Sequence, residues 1–269
     1  MKAMILAAGL GTRLRPLTDD RPKALVTVAG RTLLEIALAR LRVFGVREVM
    51  VNVHHYAEMI CDYLEARGNF GMRIEISREE VLLDTGGGLK KASWFFLEPG
   101  AESDEPFVLH NVDVISTIDL GRMARLHNEQ NALATLAVQD RNTARPLLSD
   151  EQGQLCGRRL ADPAEREGKP MKEEVVRPAP NLRAFAFCGI HVLSPRIFAR
   201  LHEEGAFPIV PAYLRLAAQG EKLVAFRADQ YSWRDLGRPE NIAQADRELK
   251  RELAAGYGGE SEIRTHGTR

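Results

Sequence analysis

Apolar and polar positions along the first half of the chain switch regularly between two periods. Met4–Ala8 is a short apolar run stopped by Gly9, the pattern of a strand covered on both faces. Leu33–Phe44 then places Leu34, Leu38 and Leu41 at helical spacing and ends at Gly45. Strand patterns follow at Glu48–Val53, Met72–Ile76, Pro106–His110 and Ala134–Val138. Helical patterns fall between them at Ala57–Arg67, Leu89–Phe96 and Leu120–Asn128. Such alternation predicts an α/β fold, a mostly parallel central sheet with helices on both faces. Ligands of such sheets bind beyond the carboxyl ends of the strands. The Gly9 loop, His54–His55 and Asn111–Asp113 all lie at those ends.

The pattern changes after Asp140. Short β-like pieces, Leu147–Ser149 and Leu155–Arg159, are followed by the highly charged segment Glu165–Arg177, which reads as a mobile loop. Leu182–Leu193 returns to strand, with Ala184, Ala186, Cys188 and Ile190 alternating against Phe185 and Phe187. Helices at Pro195–Leu201, Pro208–Ala218 and Pro239–Leu253 and strands at Leu223–Arg227 and Tyr231–Asp235 complete the expected elements. Residues 254–269 are Gly-rich and polar and read as a disordered tail, leaving residues 1–253 as a single domain.

Composition narrows the classes. An apolar content of 45% in 269 residues supports a large core. The 37 basic and 37 acidic residues cancel, which argues against a nucleic-acid footprint spread over the surface. Cys61, Cys156 and Cys188 are far apart with no CxxC spacing, so a disulfide framework or structural zinc is not expected and a reducing cytoplasm is. The N-terminus enters a strand at once, unlike a signal peptide, and no apolar run is long enough to span a membrane.

The densest chemistry is LAAGLGTRLRPLT (Leu6–Thr18) with PKAL (Pro22–Leu25). A buried strand opening into Gly9 and Gly11 brings bare backbone N–H groups toward phosphate oxygens. Arg13 adds a planar fork and Lys23 a point charge, enough to hold a polyphosphate. No Gly-Lys-Ser/Thr closes a Walker loop, and Leu14 stands where a dinucleotide fingerprint needs its third glycine. With Pro16 and Pro22 the segment is a long loop, suited to lie over a nucleotide's phosphates.

Asp113, in HNVDV, ends an apolar strand, and Asp235, in WRDLGRPENIAQA, ends another. Each is a turn aspartate or a Mg²⁺ ligand; only the fold can place both on one metal. In LLDTGGGLKKA three glycines stand before a helix, where backbone can approach a flat ring or an anion. Lys90 and Lys91 read as a solvated helix face, and His54 and His55 as hydrogen-bonded structure. No spacing suggests a covalent nucleophile.

Together these motifs, with FCGIHVLSP (Phe187–Pro195), resemble the sugar-1-phosphate nucleotidyltransferases over residues 1–248. The TGGGL, GIHVLSP and WRDLG stretches look most like the N-acetylmuramate-1-phosphate uridylyltransferase branch, with short mannose-1-phosphate guanylyltransferases close by. The resemblance implies a Rossmann-like, glycosyltransferase-A-like fold with a small β-rich sugar-binding insertion. Residues 1–138 would be the nucleotide half and 139–253 the sugar half. It implies that NTP (UTP or GTP) and a sugar 1-phosphate give an NDP-sugar and pyrophosphate, with Mg²⁺ as cofactor. Arg13 and Lys23 would be catalytic, and Asp113 and Asp235 the metal ligands. Leu6, Ala7, Ala8, Gly9, Gly11, Thr12, Arg13, Thr85 and Gly86 would contact the nucleotide, and Asn111, Gly189 and Arg177 the sugar. Val112 replaces the customary glycine before Asp113, and Arg177 in VVRP stands in for a customary lysine. A monomer or a homo-oligomer fits equally. A non-catalytic nucleotide-sugar sensor is the alternative on the same fold, disfavoured because both metal carboxylates are kept.

Overall fold

The computed structural model describes residues 1–98, 104–160 and 172–259, with side chains as far as residue 251. In chain order the strands are β1 (Ala3–Leu6), β2 (Thr27–Val28), β3 (Arg31–Thr32), β4 (Glu48–Val53), β5 (Arg73–Arg78), β6 (Phe107–Asn111), β7 (Val114–Ser116), β8 (Ala134–Gln139), β9 (Leu147–Ser149), β10 (Leu155–Leu160), β11 (Lys172–Val175), β12 (Arg183–Leu193), β13 (Leu223–Arg227) and β14 (Trp233–Asp235). The helices are α1 (Leu33–Val43), α2 (Ala57–Ala66), α3 (Asp84–Lys91), α4 (Ser93–Phe96), α5 (Leu120–Glu129), α6 (Ile209–Ala218) and α7 (Pro239–Gly259).

The expected α/β architecture is present. β5, β4, β1 and β6 run parallel at one end of a ten-stranded sheet ordered β11-β10-β9-β12-β6-β1-β4-β5, with β8 and β13 branching from β12. Alternate residues feed two apolar clusters. Ala3 and Ile5 of β1 turn to one, Met4 to the other; Val49 and Val51 of β4 face the first, Met50 the second. Helices α1, α2, α5 and α7 close the first cluster through Leu38, Ile60, Met123 and Ile242, and α3, α4 and α6 close the second through Leu89, Phe95 and Tyr213. Two covered faces explain why β1 and the Val49–Val51 stretch of β4 are apolar throughout, whereas the edge strand β5 alternates with polar residues.

Local chemistry sets the helix ends. Thr32 Oγ1 accepts the Glu35 N–H at 3.0 Å to start α1, and Gly45, at φ 80°, ends its last turn. Asp119 caps α5 by accepting the Arg122 N–H at 2.9 Å.

Three readings need correction. Residues 172–175 of the segment taken as mobile form β11, paired antiparallel to β10 in a register opposing Arg158 to Glu174 and Arg159 to Glu173; residues 165–171 lie outside the described residues. Helix α7 runs to Gly259, beyond the Leu253 boundary, while residues 260–269 lie outside the described residues. Lys90 and Lys91 are not simply solvated: their ammonium groups donate to the carbonyls of Glu203 and Arg78. Among the described residues no helix is long and apolar enough to cross a membrane.

Candidate active site

The loop after β1 folds back on itself. Gly11 sits at φ 65°, and a Cβ there would stand 3.0 Å from Thr18 Cγ2 and 3.2 Å from Lys23 Cβ. Thr18 Oγ1 donates to the Gly11 carbonyl at 2.9 Å, and the side chain of Leu14, within a single helical turn at Thr12–Leu14, is fully buried. These contacts bring the sequence-distant Lys23 beside the glycine loop. Arg13 has no ion-pair partner among the described residues, while Lys23 donates to Asp113 Oδ2.

The two aspartates meet through a two-stranded ribbon. β14 pairs antiparallel with β7, Asp235 opposite Val114, and the Leu236 N–H donates to the Asp113 carbonyl at 2.8 Å. Gly237 follows. A Cβ at Gly237 would stand 2.8 Å from Asp235 Oδ1, 2.9 Å from Arg13 Nη2 and 3.3 Å from Asp113 Oδ2. Two carboxylates and a guanidinium from three separate parts of the chain thus surround one point. Val112, in place of a glycine, creates no conflict: its side chain is buried in the core and its N–H donates to Leu6 O at 3.2 Å.

A cleft of about 360 Å³ lies beyond the carboxyl ends of β1, β4 and β6. Leu6, Ala8, Gly9, Arg13, Lys23, Thr85, Asn111 and Asp113 of the expected residues line it. Asp235 lines an adjoining cleft. Ala7 supports the wall from behind, its N–H donating to Asn52 Oδ1 at 2.7 Å. Thr12 is exposed in the loop turn, and Thr85 Oγ1 accepts the Ile209 N–H at 2.9 Å at the start of α6.

Sequence reasoning missed the pair beneath the cleft. Asn52 Nδ2 donates to Glu79 Oε1 at 2.7 Å, and Glu79 Oε2 accepts the Leu83 N–H at 2.9 Å. Both side chains are buried and both line the cleft. The signal was available: Asn52 is a polar residue inside the otherwise apolar run Val49–Val53.

The glycines of TGGGL lie inside α3 rather than before a helix, and each permits a different contact. A Cβ at Gly86 would stand 2.2 Å from the Phe207 ring, one at Gly87 2.4 Å from the Gly205 carbonyl, and one at Gly88 2.6 Å from Glu79 Oε1. The N–H of Gly86 donates to Phe207 O at 2.9 Å. Gly86 is therefore packed against Phe207 with its backbone donor already taken. His54 accords with its structural reading, its Nδ1 bonded to Glu79 O at 2.8 Å.

Of the sugar-side residues, Asn111 and Gly189 meet: Gly189, at φ 70° where β12 shifts register against β8, would put a Cβ 2.6 Å from Asn111 Nδ2. Arg177 does not join them. It donates to Asp150 Oδ2 at 2.7 Å and lines a different cleft with Gly220–Lys222, at the amino end of β13 and so opposite the site. Its guanidinium is committed to a buried carboxylate, so it cannot stand in for the customary lysine.

The chemistry of this donor set suits a Mg²⁺ ion. No group of three or more His, Cys, Asp or Glu with metal-binding geometry exists among the described residues. Mg²⁺ is commonly held by one or two carboxylates plus a substrate's phosphate oxygens, and Asp113 and Asp235 supply two.

Comparisons with known proteins bear on the family and the fold. The profile of the nucleotidyl transferase family matches residues 2–252. The chain is 34% identical over 251 residues to N-acetylmuramate alpha-1-phosphate uridylyltransferase of Caulobacter vibrioides, covering 92% of this chain and 96% of that protein. It is 27% identical to a mannose-1-phosphate guanyltransferase of Yarrowia lipolytica, covering 90% of this chain but 62% of the longer relative. A crystal structure of a putative glucose-1-phosphate thymidylyltransferase from Bacillus anthracis superposes with a TM-score of 0.71 at 18% identity, covering 91% of this chain and 94% of that one, a likeness of fold.

Proposed function

Because this chain belongs to the nucleotidyl transferase family and its relatives are sugar-1-phosphate nucleotidyltransferases, we propose that it joins UTP to N-acetylmuramate 1-phosphate or a close analogue, releasing pyrophosphate. The observation that carries the chemistry is the convergence of Asp113, Asp235 and Arg13 around Gly237. The choice of base and sugar rests on the uridylyltransferase relative, which is matched along 96% of its length.

In this reaction an oxygen of the sugar 1-phosphate attacks the α-phosphorus of the NTP. A new P–O bond forms, the bond to the bridging oxygen of the β-phosphate breaks, and pyrophosphate leaves with that electron pair. Nothing in the step requires a protein nucleophile, so positioning and charge neutralisation carry catalysis. Arg13, with no carboxylate partner among the described residues, grips the triphosphate and the departing pyrophosphate with its planar fork. The Gly9 backbone, with open space above it, lets the phosphates approach closely. Lys23, hydrogen-bonded to Asp113, neutralises the reacting phosphates and orients that carboxylate. Asp113 and Asp235 would hold Mg²⁺, which supplies charge neutralisation at the phosphate oxygens. Asn52, Glu79 and Leu82 line the part of the cleft left for the nucleoside.

The test is pyrophosphate release measured for the four NTPs against a panel of sugar 1-phosphates. The reading predicts release with UTP and N-acetylmuramate 1-phosphate above all other pairs. A preference for GTP with mannose 1-phosphate would replace the substrate assignment and keep the reaction. Silence with every pair would overturn the reaction itself.

A further inference from the structure

A second cleft, of about 640 Å³, adjoins the first at Asp235 and is lined by Arg141, Trp233, Arg234 and Arg238 among others. Its arginines are not equivalent. Arg234 is paired with Glu248, and Arg238 is exposed near Glu240. Arg141 has no carboxylate partner among the described residues and is held rigidly. Its guanidinium carbon lies 3.7 Å over the Trp233 ring, and its Nη2 donates to the Phe187 carbonyl at 2.8 Å. Trp233 is fixed in turn, its Nε1 donating to the next carbonyl, that of Cys188, at 2.7 Å. Gly189 follows directly, packed on Asn111. Along β14, Trp233 and Asp235 are two residues apart and so share one face of the strand. The stacked arginine is therefore tied, through the Phe187 and Cys188 carbonyls, to the strand segment that carries Gly189 beside Asn111.

We propose that the Arg141–Trp233 pair is an anion subsite for a carboxylate carried by the acceptor sugar, so that this enzyme selects acidic sugar 1-phosphates. This subsite rests on the nucleotidyl-transfer reading above and assigns to it the side chains that read the sugar's carboxylate. A guanidinium is a poor choice for binding neutral hydroxyls, and one stacked, immobilised and half-buried with no carboxylate partner among the described residues costs free energy that a bound carboxylate returns. The Nε of Arg141 is buried without a hydrogen-bond partner, so a ligand meets the guanidinium at its Nη end, beside the bond from Nη2 to Phe187 O. A planar carboxylate matches a planar fork already fixed on an aromatic face. The sugar's own phosphate is committed to the α-phosphorus beside Asp113 and Asp235, so the anion read by Arg141 is a second one on the same substrate.

The experiment compares N-acetylmuramate 1-phosphate with N-acetylglucosamine 1-phosphate, which lacks the lactyl carboxylate, using UTP and the full chain. In the wild type the acidic sugar should have the higher kcat/KM. In Arg141→Met the ratio of acidic to neutral kcat/KM should fall at least about tenfold, mostly through KM of the acidic sugar, as expected for loss of a charge-assisted hydrogen bond. Arg141→Lys, which keeps a charge but not the fork, should give an intermediate ratio and serves if the Met variant folds poorly. Equal losses on both sugars, or an unchanged ratio, would overturn the carboxylate subsite while leaving nucleotidyl transfer intact. Turnover of neither sugar with any NTP would overturn the reaction and this subsite together.

Discussion

The Leu236 N–H donates to the carbonyl oxygen of Asp113 at 2.8 Å, and this bond ties together two segments more than a hundred residues apart. It continues the β7–β14 ribbon by one step and fixes the spacing of the Asp113 and Asp235 carboxylates. Replacing either aspartate by asparagine keeps the volume and the backbone pairing but removes a negative charge at the phosphates. Turnover should fall about a hundredfold or more for each, with an unchanged melting temperature. Steady-state pyrophosphate release and thermal melting of Asp113→Asn and Asp235→Asn check this.

Gly237 should tolerate no side chain for function. Its φ is not positive, so alanine is compatible with the backbone, yet its Cβ would press on Asp235, Arg13 and Asp113 together. Gly237→Ala should fold normally and lose about 10- to 100-fold in kcat, since small displacements of positioning groups are costly. Normal kcat in this variant would show that the three side chains need not converge.

The glycines of α3 should behave differently. Alanine at Gly86 places a methyl 2.2 Å from the Phe207 ring and 2.9 Å from its carbonyl, an overlap that only movement of the loop can relieve. Gly86→Ala should cost about 1–3 kcal/mol in denaturant unfolding, as overpacking does.

Arg177 should matter to stability and not to chemistry. Arg177→Ala removes one partner of the well-buried Asp150, whose Oδ1 still accepts the Gln152 and Gln154 N–H groups. The expected loss is about 1 kcal/mol for so exposed an arginine, with kcat/KM for both substrates unchanged. A large rise in KM for the sugar phosphate would return Arg177 to the site.

Buried histidines predict an acid limit to stability. Burial pushes His110 down to about 4 and His191 to about 3 from an ordinary value of 6.5, and His191 is bonded to the Tyr213 hydroxyl at 2.7 Å. The unfolded chain binds more protons than the folded one between those values, so stability rises with pH there and is lost as pH falls from about 6.5 toward 4. Melting temperature measured from pH 7 to pH 4.5 should decline steadily.

Much of the parallel half of the sheet was legible because strands buried on both faces are written as unbroken apolar runs and their helices carry 3.6 periodicity. Arg13 and Asp113 were legible for a related reason: they follow strand ends that the pattern locates, whereas Lys23 was read from the PKAL motif. What the sequence hid depends on contacts between distant segments. The run Gly86–Gly88 looks like a loop, because glycine is a weak helix former; its place within α3 is decided by Phe207, Gly205 and Glu79 pressing on three successive positions. Lys172–Val175 looks like a charged loop, because its strand character comes from pairing with the arginines of β10. Arg177 was drawn to the sugar by its position in the order of motifs, and only the fold reveals Asp150 as its partner. Asn52 and Glu79 were visible as polar residues and became meaningful once β4 and the segment after β5 met under the cleft.

The central claim is that the groups around Gly237 transfer a nucleotidyl group to a sugar phosphate. The most direct measurement is pyrophosphate release together with NDP-sugar formation, in the presence of Mg²⁺, for the wild type and Asp235→Asn, with and without the sugar 1-phosphate. The account predicts equal amounts of pyrophosphate and NDP-sugar in the wild type, release that depends on the sugar 1-phosphate, and a collapse of both products in Asp235→Asn. Release that proceeds equally without the sugar 1-phosphate, or full activity in Asp235→Asn, would contradict it.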